Sequence, residues 1–234
     1  MEDLMSLPCE PARRRSECNK CGRPSNVCLC PFLPANPIAI KSSVFLVQHP
    51  REEKRRVRTD YLVKGCLPKE KCFVIKGKKF SPKRYPELEA ICSNPNTIIL
   101  FPGPKAVKIT DVPELTDGAQ GYNLIVVDGT WAQAKGIFWS NSVLHKPLQV
   151  QLNDVGPSEF VIRMQPTYGS LSTVESVALA LSVLEKQPSI RETMLTALRG
   201  LCGHQLDFGA VEHHCKEDIK KKGTGVTKED VGDR

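Results

Sequence analysis

The sequence has no apolar run that approaches the roughly 20 residues needed to span a bilayer. Residues 1–16 also lack the apolar middle region of a secretory signal. No internal repeat is present, and no G-x-G-x-x-G motif lies between a strand and a helix, which argues against a Rossmann-type cofactor site. We therefore expect an intracellular protein, cytoplasmic or nuclear, that is neither secreted nor bound to a membrane.

The composition is ordinary for a globular protein apart from an excess of positive charge. Hydrophobic residues make up 40% and charged residues 25% of the 234 positions. Lys and Arg outnumber Asp and Glu by 33 to 26, so the formal net charge is +7. A basic chain favours a polyanionic partner such as nucleic acid, because neutralised phosphates release counterions. A solvated surface rich in lysine explains the same balance, and no feature indicates an obligate protein partner.

Composition and periodicity divide the chain into four regions. We expect a flexible leader (1–17), a cysteine- and proline-rich knob (18–34), an α/β domain (37–206) and a flexible tail (207–234). Within the domain, apolar strands alternate with helical segments, which predicts a mostly parallel sheet with flanking helices. The predicted strands are 43–48, 72–75, 97–101, 124–128, 148–151 and 160–163. The predicted helices are 59–66, 131–139, 173–186 and 190–202.

Four cysteines in the knob have the spacing of a structural zinc site. They form the pattern C-x2-C-x6-C-x-C and are Cys18, Cys21, Cys28 and Cys30. Two close pairs of thiolates complete a tetrahedral Zn²⁺ site, and a site saturated by four sulfurs has no open position for water. The alternative is four ordinary buried thiols, which does not explain their clustering in a chain without a secretory signal.

A dense basic segment follows the first predicted strand. Its cationic residues are Arg51, Lys54, Arg55, Arg56 and Arg58. Positive charge at the start of a helix opposes the helix dipole, which favours contacts to RNA phosphates over the alternative of a solvated helix start. A second basic group within residues 76–84 has Tyr85 beside it. This group could follow an RNA backbone, with the tyrosine ring available for stacking.

Three loops carry the residue types of a ligand site. In parallel α/β sheets, ligands bind in the crevice at the carboxyl ends of the strands. The loops contain Phe101, Pro102 and Gly103; Asp128, Gly129, Thr130 and Trp131; and Arg163 followed by Leu171, Ser172, Thr173 and Glu175. The third loop reaches the start of the clearest predicted helix, whose free amides and positive dipole end could hold a carboxylate.

Each loop also has a purely structural interpretation. Gly103 could serve only a turn, and Ser172 with Glu175 fits the capping box S-x-x-E. Trp131 could pack in the core, although its indole N–H would then need a partner. Asp128 is harder to explain in this way, because a carboxylate at the end of an apolar strand is costly to bury without a defined partner.

Together these motifs resemble those of the DTW-domain family over about residues 18–206, most of the chain. The matching elements are the cysteine knob, Gln48-His49-Pro50, Phe101-Pro102-Gly103, Asp128-Gly129-Thr130-Trp131, and Arg163-x-x-Pro166 with Leu171-Ser172-Thr173-x-Glu175. That family includes the tRNA-uridine aminocarboxypropyltransferases. The resemblance implies an α/β fold related to the knotted SPOUT methyltransferases, with a small zinc knob at its N-terminus.

The resemblance also implies a reaction. S-adenosylmethionine would bind the three loops, and its 3-amino-3-carboxypropyl group would pass to N3 of a tRNA uridine, leaving methylthioadenosine. Its binding residues would be Phe101, Pro102, Gly103, Asp128, Gly129, Leu171, Ser172, Thr173 and Glu175. Asp128 is the candidate for the general base or for orienting the uridine, with Thr130 as a hydrogen-bonding group and Trp131 as a stacking platform. Arg163 could hold a carboxylate or a phosphate.

Two other functions fit the same residues. A SPOUT-like RNA methyltransferase shares the fold, the cofactor and the RNA, and differs only in which carbon of the sulfonium is attacked. A non-catalytic zinc-containing protein that binds RNA or assists ribosome assembly would use the knob and the basic segments alone. The motif spacing does not separate these possibilities, and only the family resemblance favours transfer of the aminocarboxypropyl arm.

Overall fold

The structure is a computed structural model that describes residues 15–55, 57–115, 118, 120–153, 155–213 and 215. Within these residues the chain forms one six-stranded sheet and five α-helices. The strands are β1 (Ser43–Gln48), β2 (Cys72–Lys76), β3 (Thr97–Leu100), β4 (Val107–Lys108), β5 (Asn123–Asp128) and β6 (Leu148–Gln151). The helices are α1 (Asp60–Cys66), α2 (Pro86–Ser93), α3 (Trp131–Trp139), α4 (Thr173–Leu184) and α5 (Ser189–Asp207).

All neighbouring strands of the sheet are parallel, in the order β2-β1-β5-β3-β6-β4. This confirms the predicted α/β fold with a parallel sheet. Strand β5 lies between β1 and β3, and its register pairs Gln48 with Asp128 and Leu100 with Val126. The carboxyl ends of these three strands therefore open onto one crevice, where parallel sheets bind their ligands. The knot implied by the family resemblance stays a prediction.

Alternate residues of the central strands pack against helices on opposite faces of the sheet. Val44 and Leu46 of β1 belong to a large core that includes buried side chains of α1, α4 and α5. Phe45 and Val47 of the same strand belong to a smaller core shared with α2 and α3. Strands covered on both faces are apolar at every position, which explains the continuous apolar run that ends at Asp128.

Most predicted elements are confirmed, but the predicted strand at residues 160–163 is wrong. These residues form a turn, in which the Arg163 amide donates to the Phe160 carbonyl at 3.1 Å. Phe160 is buried in the large core, so the apolar pattern reflects packing of a loop side chain and not strand pairing. Two elements of the structure were not predicted from the sequence: β4, which pairs over only two residues, and α2, which begins with a proline.

The cysteine knob packs onto helices α1 and α5. Leu29 is buried in the large core, and the Arg23 guanidinium donates to the Tyr61 hydroxyl of α1 at 2.7 Å. Gly200 of α5 makes room for Phe32, because a Cβ at that position would lie 2.3 Å from the phenylalanine ring. The knob and the sheet therefore share one packed core.

Parts of the predicted leader and tail lie outside the described residues, namely 1–14, 214 and 216–234. Arg56, one of the predicted RNA contacts, also lies outside them. Helix α5 extends to Asp207, the first residue of the predicted tail. None of the helices in the described ranges combines the length and apolar character that crossing a membrane requires.

Candidate functional site

Asp128 lies in the crevice close to the starts of two helices, α3 and α4. It is the last residue of β5, and its side chain is 6% exposed. Both carboxylate oxygens accept hydrogen bonds: Oδ2 from Gln48 Nε2 at 2.8 Å, and Oδ1 from Thr173 Oγ1 at 2.6 Å. The defined partners that a buried carboxylate needs are thus present, and they join β1, β5 and α4.

A capping box shapes the turn after Asp128. Thr130 is the N-cap of α3: its Oγ1 accepts from the Gln133 amide at 3.2 Å, and Gln133 Oε1 accepts from the Thr130 amide at 2.8 Å. Gly129 leaves space for this box, since a Cβ there would lie 3.1 Å from Gln133 Cβ. The Thr130 hydroxyl is an acceptor in the cap, so its own proton is free to be donated to a ligand.

A polar cavity of about 350 Å³ opens beside Asp128. Its lining comes from four stretches of chain, within residues 52–59, 128–132, 160–166 and 171–173. The charged side chains among them are Glu52, Arg58, Asp128 and Arg163. The volume lies at the small end of the usual range for ligand pockets, and the lining offers both hydrogen-bond donors and acceptors to a polar ligand.

A second, more apolar cavity of about 290 Å³ lies against the loop after β3. Phe101 and Pro102 contribute to its lining, together with Leu152 and Val155 from the segment after β6. Phe101 is itself fixed by Phe138 of α3, with the two rings stacked at 4.0 Å. Such a surface suits the flat face of an aromatic ring or a thioether.

The two cavities adjoin, and residues of the predicted motifs line both of them and form a shared wall. Gly129, Trp131, Leu171 and Thr173 line both cavities. Trp131 is 39% exposed, so it is not the core residue that the structural interpretation requires. Two molecules bound in these cavities would meet at the wall, next to the hydrogen bond between Thr173 and Asp128.

Gly103, a predicted ligand residue, lies beside the apolar cavity but does not line it. A Cβ at this position would lie 2.7 Å from Gln149 Nε2, and that nitrogen donates to the Phe101 carbonyl at 2.8 Å. The glycine therefore allows β6 to hold the loop in place through Gln149. Its place in the structure corresponds to the turn interpretation.

Glu175 also lies outside the lining of both cavities. It is 3% exposed, and its carboxylate accepts hydrogen bonds from the Ser172 amide and hydroxyl, the Ser158 hydroxyl and the Glu159 amide. These four bonds join the start of α4 to the segment around residue 158, which precedes the Arg163 loop. Ser172 itself lines the polar cavity.

The basic residues predicted to contact RNA differ in their surroundings. Arg51 and Lys54 are exposed. Arg55 and Arg58 each pair with a buried carboxylate, at 3.0 and 3.3 Å. The exposed lysines of the second basic group follow β2, which ends beside β1 at the same edge of the sheet. The edge that carries the cavities is therefore also a positively charged surface.

Arg163 places a guanidinium at the polar cavity. Burial lowers the pKa of Arg163, the positive charge of Arg55 adds to this effect, and Glu52 and Asp128 oppose it. Among the described residues, its guanidinium has no hydrogen bond and no ion pair within contact distance. A half-buried cation without a partner is suited to a carboxylate or phosphate of a ligand.

Glu52 also belongs to this site, although its place there was not predicted from the sequence. It begins the turn after β1, is 6% exposed and lines the polar cavity. Burial raises the pKa of Glu52; the positive charge of Arg55 opposes the rise, and the negative charge of Asp128 adds to it. The sequence does contain a signal for it, an acidic residue within a basic segment at the end of a strand. The net positive charge of that segment obscures this signal.

The four knob cysteines form the cluster that their spacing predicts. Their sulfurs lie within 4.8 Å of one another, with 3.7 Å between Cys18 and Cys30 and 3.7 Å between Cys21 and Cys28. A tetrahedron with Zn–S bonds of about 2.3 Å has S···S edges of about 3.8 Å, so the arrangement fits zinc. Backbone hydrogen bonds at Cys21 and Lys20 lower the pKa of Cys18 to about 6, whereas burial and the neighbouring sulfurs raise the pKa of Cys30 to about 12. A bound metal ion would favour the thiolate at all four positions.

The fold and the site together define the class of this protein. It is an α/β protein whose sheet is all parallel, with two adjoining cavities at the carboxyl edge of that sheet and a four-cysteine knob packed on its helices. Residues 15–206 match the DTW domain family. That match covers most of the chain, and the chain belongs to this family.

Several named relatives are similar over most of the chain. A Macaca fascicularis protein named tRNA-uridine aminocarboxypropyltransferase 2 is 47% identical over 94% of this chain and 74% of its own length. A Drosophila melanogaster protein of the same name is 44% identical over 94% of this chain and 86% of its own. An Arabidopsis thaliana protein named tRNA-uridine aminocarboxypropyltransferase A is 26% identical over 83% of each chain. No solved structure matches the chain.

Proposed function

We propose that this protein transfers the 3-amino-3-carboxypropyl group of S-adenosylmethionine to N3 of a uridine in tRNA. The products are the modified tRNA and methylthioadenosine. The observation that carries the proposal is the wall between two cavities, built by Gly129, Trp131, Leu171 and Thr173. Relatives with 44–47% identity that bear the name of this activity support it.

S-adenosylmethionine is assigned to the apolar cavity with its arm directed to the wall. Phe101, Pro102 and Val155 offer an apolar surface to the adenine and the thioether part. The arm would then pass Thr173, where the start of α4 presents free amides, and reach toward Arg163 in the polar cavity. The arm's carboxylate suits both the helix amides and the guanidinium.

The uridine is assigned to the polar cavity. N3 is a pairing position in a duplex, so the acceptor uridine must lie in a loop or be flipped out of its stack. Trp131 is exposed at the wall and offers a stacking surface, and the Thr130 hydroxyl offers a hydrogen-bond donor. Arg51 and Lys54 lie exposed at the same edge, where they could contact tRNA phosphates. An enzyme with this substrate acts inside the cell, in the cytoplasm or the nucleus.

The reaction is a substitution at the carbon of the arm that is bonded to sulfur. A bond forms from uridine N3 to this carbon, the carbon–sulfur bond breaks, and its electron pair stays on the sulfur of methylthioadenosine. The N3 proton must pass to a base. Asp128 fits the orienting role, because its hydrogen bonds to Gln48 and Thr173 fix the wall at which the reactants meet.

The cysteine knob is proposed to hold a structural Zn²⁺. Cys18, Cys21, Cys28 and Cys30 fill all four positions of a tetrahedral site, so no position is left for a reactant. The ion would fix the knob that packs on α1 and α5.

The test is to incubate the purified protein with tRNA and two preparations of S-adenosylmethionine. One carries the label in the carboxypropyl arm, and the other carries it in the methyl group. We expect arm label in the tRNA and methyl label in methylthioadenosine, with N3 of one uridine identified by mass spectrometry of nucleosides. Arm label absent from tRNA under saturating conditions would overturn the proposal.

The two competing functions give different outcomes in the same experiment. Methyl label in the tRNA without arm label would identify an RNA methyltransferase. A non-catalytic RNA-binding protein would incorporate neither label, and S-adenosylmethionine would leave its melting temperature unchanged. A ligand that binds only the folded state must raise that temperature by mass action.

A further inference from the structure

Glu52 is a buried charged group in the polar cavity to which the proposed function assigns no task. It lies in the first turn after β1, where its amide donates to the His49 carbonyl at 2.9 Å. Its side chain is 6% exposed and lines the cavity together with Asp128 and Arg163. A glutamate is rarely buried to this extent without a defined partner.

The carboxylate of Glu52 has an unsatisfied acceptor. Arg55 Nε lies 3.0 Å from Glu52 Oε1, an ion pair without the geometry of a hydrogen bond. Oε1 is fully buried and accepts no hydrogen bond from the described residues. Because Oε1 has no accessible surface, a donor on a molecule in the cavity would reach the carboxylate through its other oxygen, Oε2.

Asp128 differs from Glu52 in this respect. Each of its oxygens already accepts a short hydrogen bond, from Gln48 and from Thr173. To accept the N3 proton, Asp128 would have to weaken bonds that hold the shared wall. Glu52 is paired with Arg55 but takes no part in that wall, so its carboxylate can accept a proton from a molecule in the polar cavity without disturbing it.

The electrostatic surroundings of Glu52 also suit a proton acceptor. Burial raises the pKa of Glu52, and Asp128 on β5 and Asp60 on α1 raise it further, while Arg55 and Arg163 oppose the rise. Arg58 lines the same cavity. A carboxylate whose pKa is raised holds a proton more readily than an ordinary one, which suits a group that must accept a proton from its substrate.

We propose that Glu52 is the general base that removes the N3 proton of the acceptor uridine. This rests on the proposed function. The N3–H group donates to Glu52 Oε2; as the bond from N3 to the arm carbon forms and the carbon–sulfur bond breaks, the proton moves to Glu52. The carboxyl group then returns its proton to solvent, so that the enzyme is regenerated and no further reactant is needed.

The test compares Glu52→Gln with the matched control Glu53→Gln. Glutamine keeps the size of residue 52 and removes its basicity. Glu53 is the adjacent residue of the same type, but its side chain is 55% exposed, pairs with Lys76 and does not line the cavity. Single-turnover transfer from arm-labelled S-adenosylmethionine to tRNA is measured with each variant, together with the dissociation constants of both substrates.

Removal of a general base is expected to slow the single turnover of Glu52→Gln by about 10²- to 10⁴-fold. Both dissociation constants should stay within about threefold of the unsubstituted protein. Without the base, the reacting species is the uridine already ionised at N3, so the residual rate should rise about tenfold per pH unit. Glu53→Gln should keep the rate and pH profile of the unsubstituted protein.

Three results would overturn the assignment. The first is an unchanged rate for Glu52→Gln in a chain that transfers the arm. The second is a rate loss matched by weaker binding of S-adenosylmethionine, which would place the arm's ammonium at Glu52. The third is failure of the unsubstituted protein to transfer the arm, which overturns the proposed function itself. If Glu52→Gln does not fold, Glu52→Asp replaces it in the test. Aspartate keeps the basic group but moves it back by one methylene, so a rate equal to that of the unsubstituted protein would count against the proposal.

Discussion

The hydroxyl of Thr173 donates to Asp128 Oδ1 at 2.6 Å, so the first residue of α4 is bonded to the last residue of β5. Thr173 lines both cavities and Asp128 lines the polar one. This contact therefore helps to fix the position of the wall between the two proposed substrates, together with the bond from Gln48 to Asp128. Because one partner is a carboxylate, the bond is of the stronger, charge-assisted kind.

Thr173→Val should lower transfer activity with little effect on the fold. Valine has nearly the shape of threonine but cannot donate to Asp128. A hydrogen bond to a charged group contributes about 1.5–3 kcal/mol, and a loss of that size in the transition state corresponds to roughly a 10- to 150-fold lower kcat/KM. Steady-state transfer to tRNA measures the effect.

The control for this substitution is Thr193→Val. Thr193 is a half-buried residue of α5 whose hydroxyl, among the described residues, bonds to the Ser189 carbonyl of its own helix. It should leave kcat/KM unchanged. If Thr173→Val kept the full rate, the contact with Asp128 would have no part in catalysis. A full single-turnover rate for Asp128→Ala would remove that carboxylate from the chemistry as well.

Trp131→Ala should weaken the binding of both substrates, because the indole stands in the wall that the two cavities share. Base stacking on an aromatic side chain contributes about 1–3 kcal/mol per base, so we expect tRNA affinity to fall about 5- to 150-fold. Trp139→Ala, at the other end of α3 and 65% exposed, is the matched control and should bind both substrates normally. Equilibrium binding and calorimetry measure the affinity of both variants for the two substrates. Equal losses of affinity would contradict the assignment.

Much of the site could be predicted because strand ends are visible in sequence. The apolar run of β5 and the polar residues that follow it place Asp128 at a carboxyl edge, and parallel pairing brings the loop after β3 to the same edge. The register of a sheet is a tertiary property, so the contact between Gln48 and Asp128 has no local signal. The position of Thr130 as the N-cap of α3, in contrast, does have a local signal, the T-x-x-Q capping box.

Burial of charge is the other feature that the sequence conceals. Glu52 and Asp60 are both buried, yet each lies near arginines in a segment whose net charge is positive. A pattern of charges along the chain describes exposed residues well, but it does not reveal which acid points inward. The incorrect strand at residues 160–163 has a similar cause, because a buried loop residue such as Phe160 has the same hydrophobicity as a strand residue.

Cys21→Ser should abolish stoichiometric zinc and lower the melting temperature. The cluster needs all four sulfurs for a saturated tetrahedral site, and binding of a structural metal contributes directly to folding. Metal content by mass spectrometry and thermal unfolding measure the two effects. Cys215→Ser, outside the cluster, should keep one zinc per chain. Unchanged metal content in Cys21→Ser would contradict the four-sulfur site.

Glu52→Gln should stabilise the protein at neutral pH while it slows the reaction. Burial raises the pKa of Glu52 in the folded state, so the folded state holds this proton at pH values where the unfolded chain has lost it. Stability is therefore lost as pH rises through the window between the unfolded and the folded pKa. Glutamine does not ionise and avoids that loss.

The melting temperatures of Glu52→Gln and the unsubstituted protein should nearly coincide at about pH 4, where Glu52 is mostly neutral in both states. At pH 7 the variant should melt at a higher temperature, because only the unsubstituted protein loses stability as Glu52 ionises. The pKa of Glu53 is lowered by its hydrogen bond to Lys76, so Glu53→Gln should not melt higher at pH 7. A lower melting temperature for Glu52→Gln at pH 7 would show that ionised Glu52 stabilises the fold.

Gly200→Ala should loosen the packing of the knob on α5. The new Cβ would lie 2.3 Å from the Phe32 ring, so either the ring or the helix must move. Overpacking of a filled core costs about 1–3 kcal/mol, which lowers the melting temperature by about 2–4 °C for each kcal/mol.

Gly203→Ala, on the same helix, is the matched control, because a Cβ there meets nothing within 4 Å. It should stabilise the protein by up to about 1 kcal/mol through helix propensity. Zinc content should stay at one per chain in both variants, since the four sulfurs belong to the knob itself. A rise in melting temperature for Gly200→Ala equal to that of Gly203→Ala would show that Phe32 does not fix the knob on α5.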